Sequence, residues 1–537
     1  SKKRYYGLAL PIYKCSCGHI EIIGSKDELK EKAISGWDSF SEQSPHRPWI
    51  DNVKIECTAC SNPISRIQDV GNAWLDAGIV PFSTLNYTDD PDYWRKWFPA
   101  DWISESFPGQ FRNWFYSLLT MSTVLENTEP FKTVFSYALM RDEKGEEMHK
   151  SKGNAIWFED AADIMGVDCM RWLYMKHNPA ANLNFGYHNA DEVRRQFIIP
   201  LWNVYSFFTT YANIDEYNPN QLAPKISDRS QLDQWILSEL HSMINSVTTS
   251  LEKFEPDTAA RTIESFVEIL SNWYVRRGRR RFWKEGRVEG KNVDPDKLSA
   301  YSTLHECLLT MSKLLAPFMP FLSDSMYQNL SGSLKTSKQS VHLEDYPISN
   351  SDLINEKLSK AIRLAMKLSS LGRAARNNAN IKVRQPLDSV QIKLREAIEI
   401  ELLPEISEQL KDELNIKNIN IIENPTEVMD ISIKPNMALL GPRLGQEVRN
   451  LLEELKRTDP LEIHSKIQNE DKIELAGHEI LPGELEIIGK GKEGFSATEE
   501  NNYVVAISTK LTSSLINEGI AREIVHRIQT MRKNAGF

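Results

Sequence analysis

Apolar residues recur at helical spacing through the middle of the chain, from Asp191 to about Leu330. The pattern is clearest in VRRQFIIPLWNVYSFFTTYA, LDQWILSELHSMINSVTTSLEKF and LHECLLTMSKLLAPFMPFL, which follow one another with short polar breaks. A side chain returns to the same face of a helix every three or four residues, so each stretch predicts a helix with one apolar side. Residues 189–345 are therefore predicted to form an all-helical bundle.

The flanking regions mix two periodicities. Residues 71–188 alternate short runs rich in β-formers, such as TVFSYALM, with helical segments such as FRNWFYSLLTMSTVL. This alternation predicts the second half of a doubly wound, Rossmann-like α/β domain. Residues 1–70 are predicted to form short strands and turns, and residues 346–537 a helix followed by a small α+β tail. The predicted fold is a multidomain protein that joins α/β regions to an all-α bundle.

Composition limits the environment and the partners. The chain has 537 residues, is 41% hydrophobic and carries a net charge of -10. No apolar run approaches the roughly 18 residues of a membrane span, and no signal-peptide pattern begins at Ser1, so we expect a soluble cytoplasmic protein with no membrane partner. An acidic chain repels polyanions as a whole, and any nucleic-acid contact must therefore come from a local basic patch.

Four of the six cysteines fall in two close pairs, Cys15 with Cys17 and Cys57 with Cys60. So few cysteines in a long chain do not make a disulfide framework, which indicates a reducing compartment. Thiolates two or three positions apart on tight turns can converge on one tetrahedral ion, so the pairs predict a closed four-sulfur structural zinc site. The alternative is a knuckle that has lost its metal, or free thiols.

The stretch EEMHKSKGN, residues 146–154, places Lys150 and Lys152 between a hairpin-type turn and the start of a helix. We predict a loop at the rim of a sheet, where two ammonium groups reach over the crevice. A lysine ammonium is a mobile point charge, suited to a phosphate chain whose charge grows as a bond breaks. An isolated pair of lysines is more often a solvated basic turn, so the surrounding motifs decide the interpretation.

Those motifs carry a family resemblance. EMHKSKGN resembles the KMSKS loop of class I aminoacyl-tRNA synthetases, whose usual form is KMSKSxGN. Segments resembling the isoleucyl members of that family follow in the family's order: KRYYGLALPIY, DVGNAWLDAG, DWISESFPGQFRNWFYSLL, LWNVYSFFTTYA, SNWYVRRGRRRFW, IKVRQPL and GIAREIVHRIQTMRKNAGF. The resemblance covers essentially the whole chain.

The resemblance implies a ligase that uses ATP with Mg²⁺ to activate isoleucine as isoleucyl-adenylate and transfers it to tRNA(Ile). The implied partners are tRNA(Ile), isoleucine and ATP, and we expect a monomer. The family's HIGH tetrapeptide and its editing domain have no counterpart in these residues. The resemblance therefore implies the carboxyl-terminal part of a longer enzyme, inactive when isolated.

Individual roles follow where residues match. Lys150 and Ser151 fall on catalytic positions of the KMSKS loop, where the lysine stabilises the departing pyrophosphate. The matched ATP- and adenylate-binding positions are Glu105, Gln110, Lys150, Lys152, Gly153 and Asn154. Trp74 and Trp114 match the apolar isoleucine pocket, with plain core packing as the alternative.

Several positions depart from the family pattern. Glu147 replaces the first lysine of the KMSKS loop, His149 replaces its first serine, and Gly109 stands where the family has an aspartate. One positive charge of the loop is thus exchanged for a negative one. Two other functions stay open: a synthetase for valine, leucine or methionine, and a non-catalytic tRNA-binding module, which Glu147 and the absent motifs favour.

Arginines cluster at two places. In SNWYVRRGRRRFWKEGR, Arg276, Arg280 and Arg287 share one helical face, about a quarter-turn from the apolar positions Val275 and Phe282. A second cluster surrounds a predicted helix end in GRAARNNANIKVRQP. Arginine binds phosphate and stacks on bases, and a solvated face paired with glutamates is the alternative. The predicted tRNA contacts are Arg276, Arg280, Arg287, Arg373 and Arg376.

Overall fold

The computed structural model describes residues 7–284, 294–332, 334, 337–460, 462, 463, 466 and 472–536. The chain divides into two compact units. The first comprises residues 1–199, 247–264 and 315–322; the second comprises residues 200–246, 265–314 and 323–537. Both units contain helices and short strands, so the predicted mixture of α/β and all-α regions is confirmed in outline. The predicted domain limits stay a prediction.

Short antiparallel strands surround the cysteine pairs. They are Ile12–Lys14 with Ile20–Ile22, and Lys54–Glu56 between Ala33–Ser35 and Pro63–Ser65. Alternate side chains of a strand point to one side. Here Tyr13, Ile55 and Ile64 point into a buried core that also contains Phe40 and Cys57. This core fixes the backbone on which the cysteines are carried.

Parallel strands follow in residues 71–188, as the alternating pattern predicted. Ile103–Ser106 pairs with Val134–Tyr137, and Met140–Arg141 pairs with Leu183–Asn184. A parallel pair needs a long crossover connection, usually a helix. Trp114–Glu126 lies in the first connection, and Phe158–Met165 and Val167–Lys176 lie in the second. The shorter helices between residues 7 and 113 are Lys26–Lys32, Trp37–Phe40, Ala73–Gly78, Val80–Ser83, Pro91–Trp97 and Phe107–Gln110.

Helices occupy the stretch where the 3.6-residue period predicted them. Their bounds are Tyr187–Val193, Ile199–Ile214, Gln231–Glu252, Pro256–Ile269, Arg276–Phe282, Pro295–Leu315 and Pro320–Ser331, with π-helical segments at Arg194–Ile198 and Leu270–Val275. The described residues between 189 and 345 contain no strand. Val275 and Phe282 are both buried, which confirms the predicted apolar face.

A buried ion pair fixes the helix Arg276–Phe282, called the arginine helix below. Asp233 is fully buried and accepts a hydrogen bond from Tyr274 Oη at 2.6 Å. Both terminal nitrogens of Arg281 also donate to this carboxylate, at 2.8 and 2.5 Å. A buried charge is tolerated when it is paired and hydrogen-bonded. Arg281 therefore marks the inner side of the arginine helix.

The tail is an α+β structure around a four-stranded sheet. The strand order is Ile416–Ile421, Leu387–Lys393, Tyr503–Ser508 and Phe495–Glu500, and the first two are parallel. The long helix Glu356–Asn378 packs on this sheet, and Ser496 Oγ donates to the Ala375 carbonyl at 2.8 Å. The remaining strands and helices are Met429–Pro435, Ile473–Leu475, His478–Ile480, Leu485–Gly491, Leu403–Leu414, Met437–Leu444, Val448–Arg457 and Ser513–Asn534.

Candidate functional site

The lysine loop, residues 146–154, is joined to the strand Met140–Arg141 by a tight turn. The Asp142 N–H donates to the Glu146 carbonyl at 2.9 Å, and Arg141 forms an antiparallel bridge with Glu147. Gly145 has φ +82°, a conformation that glycine adopts without the cost of a Cβ clash. The predicted hairpin-type turn is therefore present, and it brings the lysine loop back along the strand.

Asn154 ties the two ends of the lysine loop together. Its Oδ1 accepts from the His149 N–H at 2.9 Å, and its Nδ2 donates to Asp142 Oδ2 at 2.9 Å and to the Glu147 carbonyl at 3.1 Å. The Asn154 hydrogen bond is the largest cause of the lowered pKa of Asp142. The amide thus makes contacts within the loop, a role that the predicted ATP contact did not include.

Lys150, Ser151 and Lys152 form one turn of 3-10 helix and are all exposed. The turn ends at Gly153, whose φ is +71°. Lys150 Nζ lies 4.5 Å from the centroid of the Trp157 ring, within the range of a cation–π contact. An exposed ammonium in contact with a ring face can reorient toward an anion.

The two departures from the family pattern in this loop lie beside each other. Glu147 Oε2 is 3.4 Å from His149 Nε2, and both side chains are exposed. A protonated His149 would offset the charge of Glu147. In the described part of the chain, neither lysine of the loop forms an ion pair with that glutamate.

Glu105 lies near the carboxyl ends of the parallel strands Ile103–Ser106 and Val134–Tyr137. Its Oε1 accepts from Tyr137 Oη at 3.1 Å and from the Ser106 N–H at 2.8 Å. Burial, and then the Glu105 carboxylate, raise the pKa of Tyr137. Ligands of open α/β sheets bind at the carboxyl ends of strands. Tyr137 was missed in the sequence because only the register of the two strands brings it to Glu105.

Gln110, Trp74 and Trp114 lie on or beside two helices that are in contact, Ala73–Gly78 and Trp114–Glu126. A Cβ at Gly78 would meet the Ser117 backbone at 2.7 Å, so this contact requires glycine. Gln110 Oε1 accepts from the Trp114 N–H at 3.4 Å, at the start of the second helix. Trp74 is 36% exposed and Trp114 is half-buried, so neither is a fully buried core residue.

The four cysteines of the two pairs converge. All four Sγ atoms lie within 4.8 Å of one another, with Cys15–Cys60 at 3.4 Å and Cys17–Cys57 at 3.8 Å. Zinc–sulfur bonds of about 2.3 Å at tetrahedral angles place the sulfurs about 3.8 Å apart. The donor set and its spacing therefore fit zinc. The cluster could hold a metal ion.

Two tight turns present these thiols. The Cys15 carbonyl accepts from the Gly18 N–H at 3.1 Å, and the Cys57 carbonyl accepts from the Ser61 N–H at 2.8 Å. The Cys17 backbone N–H is the main cause that lowers the pKa of the Cys15 thiol to about 6. A thiolate is the form that binds metal, and the two turns bring the four sulfurs together.

Three arginines surround one carboxylate in the second unit. Glu413 is buried and accepts from Arg276 at 2.8 Å, from Arg277 at 2.6 Å and from Arg373. Arg276 and Arg373 keep 39% of their side-chain area exposed. Arg276 and Arg373, two of the predicted tRNA contacts, thus lie together at Glu413. Glu413 itself was missed in the sequence analysis. Arg280 is exposed, and Arg287 lies outside the described residues.

Arg376 corrects the sequence analysis. Its side chain is fully buried and donates to the carbonyl oxygens of Lys382, Gln385, Leu414 and Asn415 at 2.6 to 3.1 Å. Burial lowers its pKa to about 10. The prediction of Arg376 as a tRNA contact is wrong because its guanidinium is buried and hydrogen-bonded to backbone carbonyls.

No helix within the described ranges combines the length and the apolar character that a membrane crossing requires.

Comparison with known proteins gives the family. Residues 1–186 match the family model of tRNA synthetases class I (I, L, M and V), and residues 233–392 match the anticodon-binding domain of tRNA ligase. Over its whole length the chain is 39% identical to the isoleucine–tRNA ligase of Clostridium tetani, 38% to that of Dehalococcoides mccartyi and 37% to that of Thermus thermophilus. It covers 51%, 47% and 51% of those proteins, so it spans about half the length of these relatives. The chain is therefore homologous along its whole length to isoleucine–tRNA ligases, which are class I tRNA synthetases.

Proposed function

We propose that this chain takes part in the ligation of isoleucine to tRNA(Ile). In the first step a carboxylate oxygen of isoleucine attacks the α-phosphorus of ATP, and the bond to the bridging oxygen breaks to release pyrophosphate with Mg²⁺. In the second step a terminal ribose hydroxyl of the tRNA attacks the acyl carbon and AMP leaves. The observation that carries this proposal is the similarity to isoleucine–tRNA ligases along the entire chain.

Lys150 is proposed to stabilise the negative charge that develops on the departing pyrophosphate. Its exposed ammonium, in contact with the Trp157 ring, supports the role because a weakly held cation can move to a new anion. Ser151 and Lys152 share the same turn and are proposed to complete the phosphate contacts with Gly153. Asn154 is proposed to contribute by keeping the turn closed.

The remaining contacts are proposed on the strand ends and the paired helices. Glu105 and Gln110 would bind the ribose and amino groups of the adenylate, and Trp74 and Trp114 would form the isoleucine pocket. The exposure of Trp74 supports a binding role, since a structural tryptophan is usually more buried. Arg276, Arg280 and Arg373 are proposed to contact tRNA phosphates.

Cys15, Cys17, Cys57 and Cys60 are proposed to bind zinc. Four thiolates leave no open position for a substrate, so the ion would supply structural stability and no catalytic step. The buried core around Tyr13 and Ile55 supports this assignment, because the turns that carry the thiols are attached to it.

The substrate is tested by amino-acid-dependent pyrophosphate exchange with the complete gene product. We expect exchange with isoleucine, weaker exchange with valine, and none above background with leucine or methionine. Exchange driven best by leucine, methionine or valine would replace the proposal with the corresponding synthetase. Absence of exchange with every amino acid, together with tight tRNA binding, would favour a non-catalytic RNA-binding module.

A further inference from the structure

Trp283, at the end of the arginine helix, is unusually exposed for a tryptophan. Its side chain is 58% accessible, yet its Nε1 donates to Tyr211 Oη at 2.9 Å. The Tyr211 ring packs on Phe207, with centroids 4.9 Å apart, and Phe207 packs on the buried Phe282 at 5.1 Å. The single polar atom of the indole is thus satisfied by an anchored partner. The ring is held in place while most of its surface faces water.

Positions along the arginine helix put cations on the same side as this ring. Residues three, four and seven positions apart share one helical face. Trp283 is therefore aligned with Arg276, Arg279 and Arg280, all of which are exposed. Phe282, one position before Trp283 and about a quarter-turn away, is buried.

Two of the three arginines on this exposed side have no carboxylate partner among the described residues. Arg276 is paired with Glu413, whereas Arg279 and Arg280 form no ion pair within the part of the chain that is described. The nearby carboxylates Asp294 and Asp296 are already bound by Lys284 and Arg281. A fixed aromatic ring beside free guanidinium groups is a combination that binds nucleotides, because bases stack on the ring and phosphates bind the cations.

We propose that Trp283 is a stacking platform for one unpaired base of a bound RNA, with Arg280 binding an adjacent phosphate and Tyr211 positioning the indole. The inference rests on the proposed tRNA-dependent function and specifies a residue for it. A base inside a duplex is already stacked on its neighbours and is not available to a side chain. The ligand is therefore an exposed nucleotide in a loop or at an end of the tRNA.

The test measures dissociation constants of a tRNA(Ile) transcript at several salt concentrations, with the full chain and its variants. Trp283→Ala is expected to weaken binding by about 5- to 150-fold and to leave the slope of log K against log salt unchanged, because stacking is not a charge contact. Trp283→Phe keeps an aromatic ring and should lose less tRNA affinity than Trp283→Ala. Tyr211→Phe removes the hydrogen-bond acceptor of the indole, and its tRNA affinity should lie between those of wild type and Trp283→Ala.

Two comparisons make the result specific. Arg280→Gln should lower the magnitude of the salt slope by about 0.7, as expected for one lost contact to a phosphate of an unpaired strand. Trp97→Ala is the matched control, because Trp97 is 59% exposed on another helix and should not affect binding. Circular dichroism spectra that match wild type show that each variant is folded.

Equal tRNA affinity of wild type and Trp283→Ala would overturn the inference. The exposed indole would then be assigned to a contact with another protein. A wild-type chain that binds no tRNA would instead contradict the proposed function. A 2-aminopurine base placed at unpaired positions of the tRNA adds a direct readout. We expect one position at which fluorescence is quenched by wild type but not by Trp283→Ala, and quenching that persists in Trp283→Ala at every position would contradict the stacking.

Discussion

Replacing Arg376 by methionine should destabilise the second unit without a direct effect on RNA contacts. Methionine fills much of the volume but offers no donors to the four carbonyls that the guanidinium binds. The Lys382 carbonyl still accepts from the Gln385 N–H at 3.0 Å, and the Asn415 carbonyl from the Leu387 N–H at 3.0 Å. The main loss falls on the carbonyls of Gln385 and Leu414.

The size of the effect follows from those two groups. A buried acceptor left without a partner costs about 1–3 kcal/mol, so the free energy of unfolding should fall by about 2–6 kcal/mol. This is a large fraction of the roughly 5–15 kcal/mol that stabilises a domain. Urea unfolding followed by circular dichroism should show a clearly lower midpoint.

Arg280→Met is the matched control for this prediction. Arg280 is exposed and forms no ion pair in the described part of the chain, so its loss should change stability by less than about 0.5 kcal/mol. The two variants should therefore differ in what they lose. Arg376→Met should lower the urea midpoint, and Arg280→Met should lower the affinity for RNA. An Arg376→Met protein with an unchanged urea midpoint and weakened RNA binding would refute the structural role and restore the predicted contact.

Three further outcomes are expected. Glu413→Gln removes the carboxylate that three arginines share, and should lower the free energy of unfolding by about 1–3 kcal/mol, less than for a fully buried pair because Arg276 and Arg373 are 39% exposed; a urea midpoint equal to wild type would contradict the clustering. Metal analysis of the purified protein should find about one zinc ion per chain, lost in Cys60→Ser, and a metal-free wild type that melts like the metal-loaded protein would exclude the site. The Tyr327 hydroxyl and Lys313 lower the pKa of Glu344 from 4.5 to about 2, so its stabilisation is present above about pH 4.5 and is lost as the pH falls through 2. Glu344→Gln should therefore cost more stability at pH 7 than at pH 3, and an equal cost at both values would contradict the lowered pKa.

Local patterns predicted the elements because local spacing determines which face of an element is buried. The helical period located Ile199–Ile214, Gln231–Glu252 and Pro295–Leu315, and the tail predicted to be α+β contains the strands Ile416–Ile421 and Tyr503–Ser508. The spacing of the cysteines predicted that two turns could share one ion, and the four sulfurs do converge.

Contacts between distant segments were beyond the same reasoning. Glu413 lies 137 positions from Arg276, so no spacing rule links them. Arg376 looked like a surface cation because the carbonyls around it come from two turns that fold over it only in the tertiary structure. For the same reason, no local pattern indicated that Tyr137 donates to Glu105 or that the Lys150 ammonium contacts the Trp157 ring.

The Lys150 ammonium is proposed to stabilise the pyrophosphate as it leaves. Single-turnover formation of isoleucyl-adenylate by the complete gene product tests it, with Lys150→Ala compared to Lys144→Ala, an exposed lysine of the preceding turn. We expect Lys150→Ala to slow adenylate formation by about 100-fold or more, as for loss of one charge-stabilising donor, and Lys144→Ala to match wild type. Equal rates of adenylate formation for Lys150→Ala and wild type would contradict this role of Lys150.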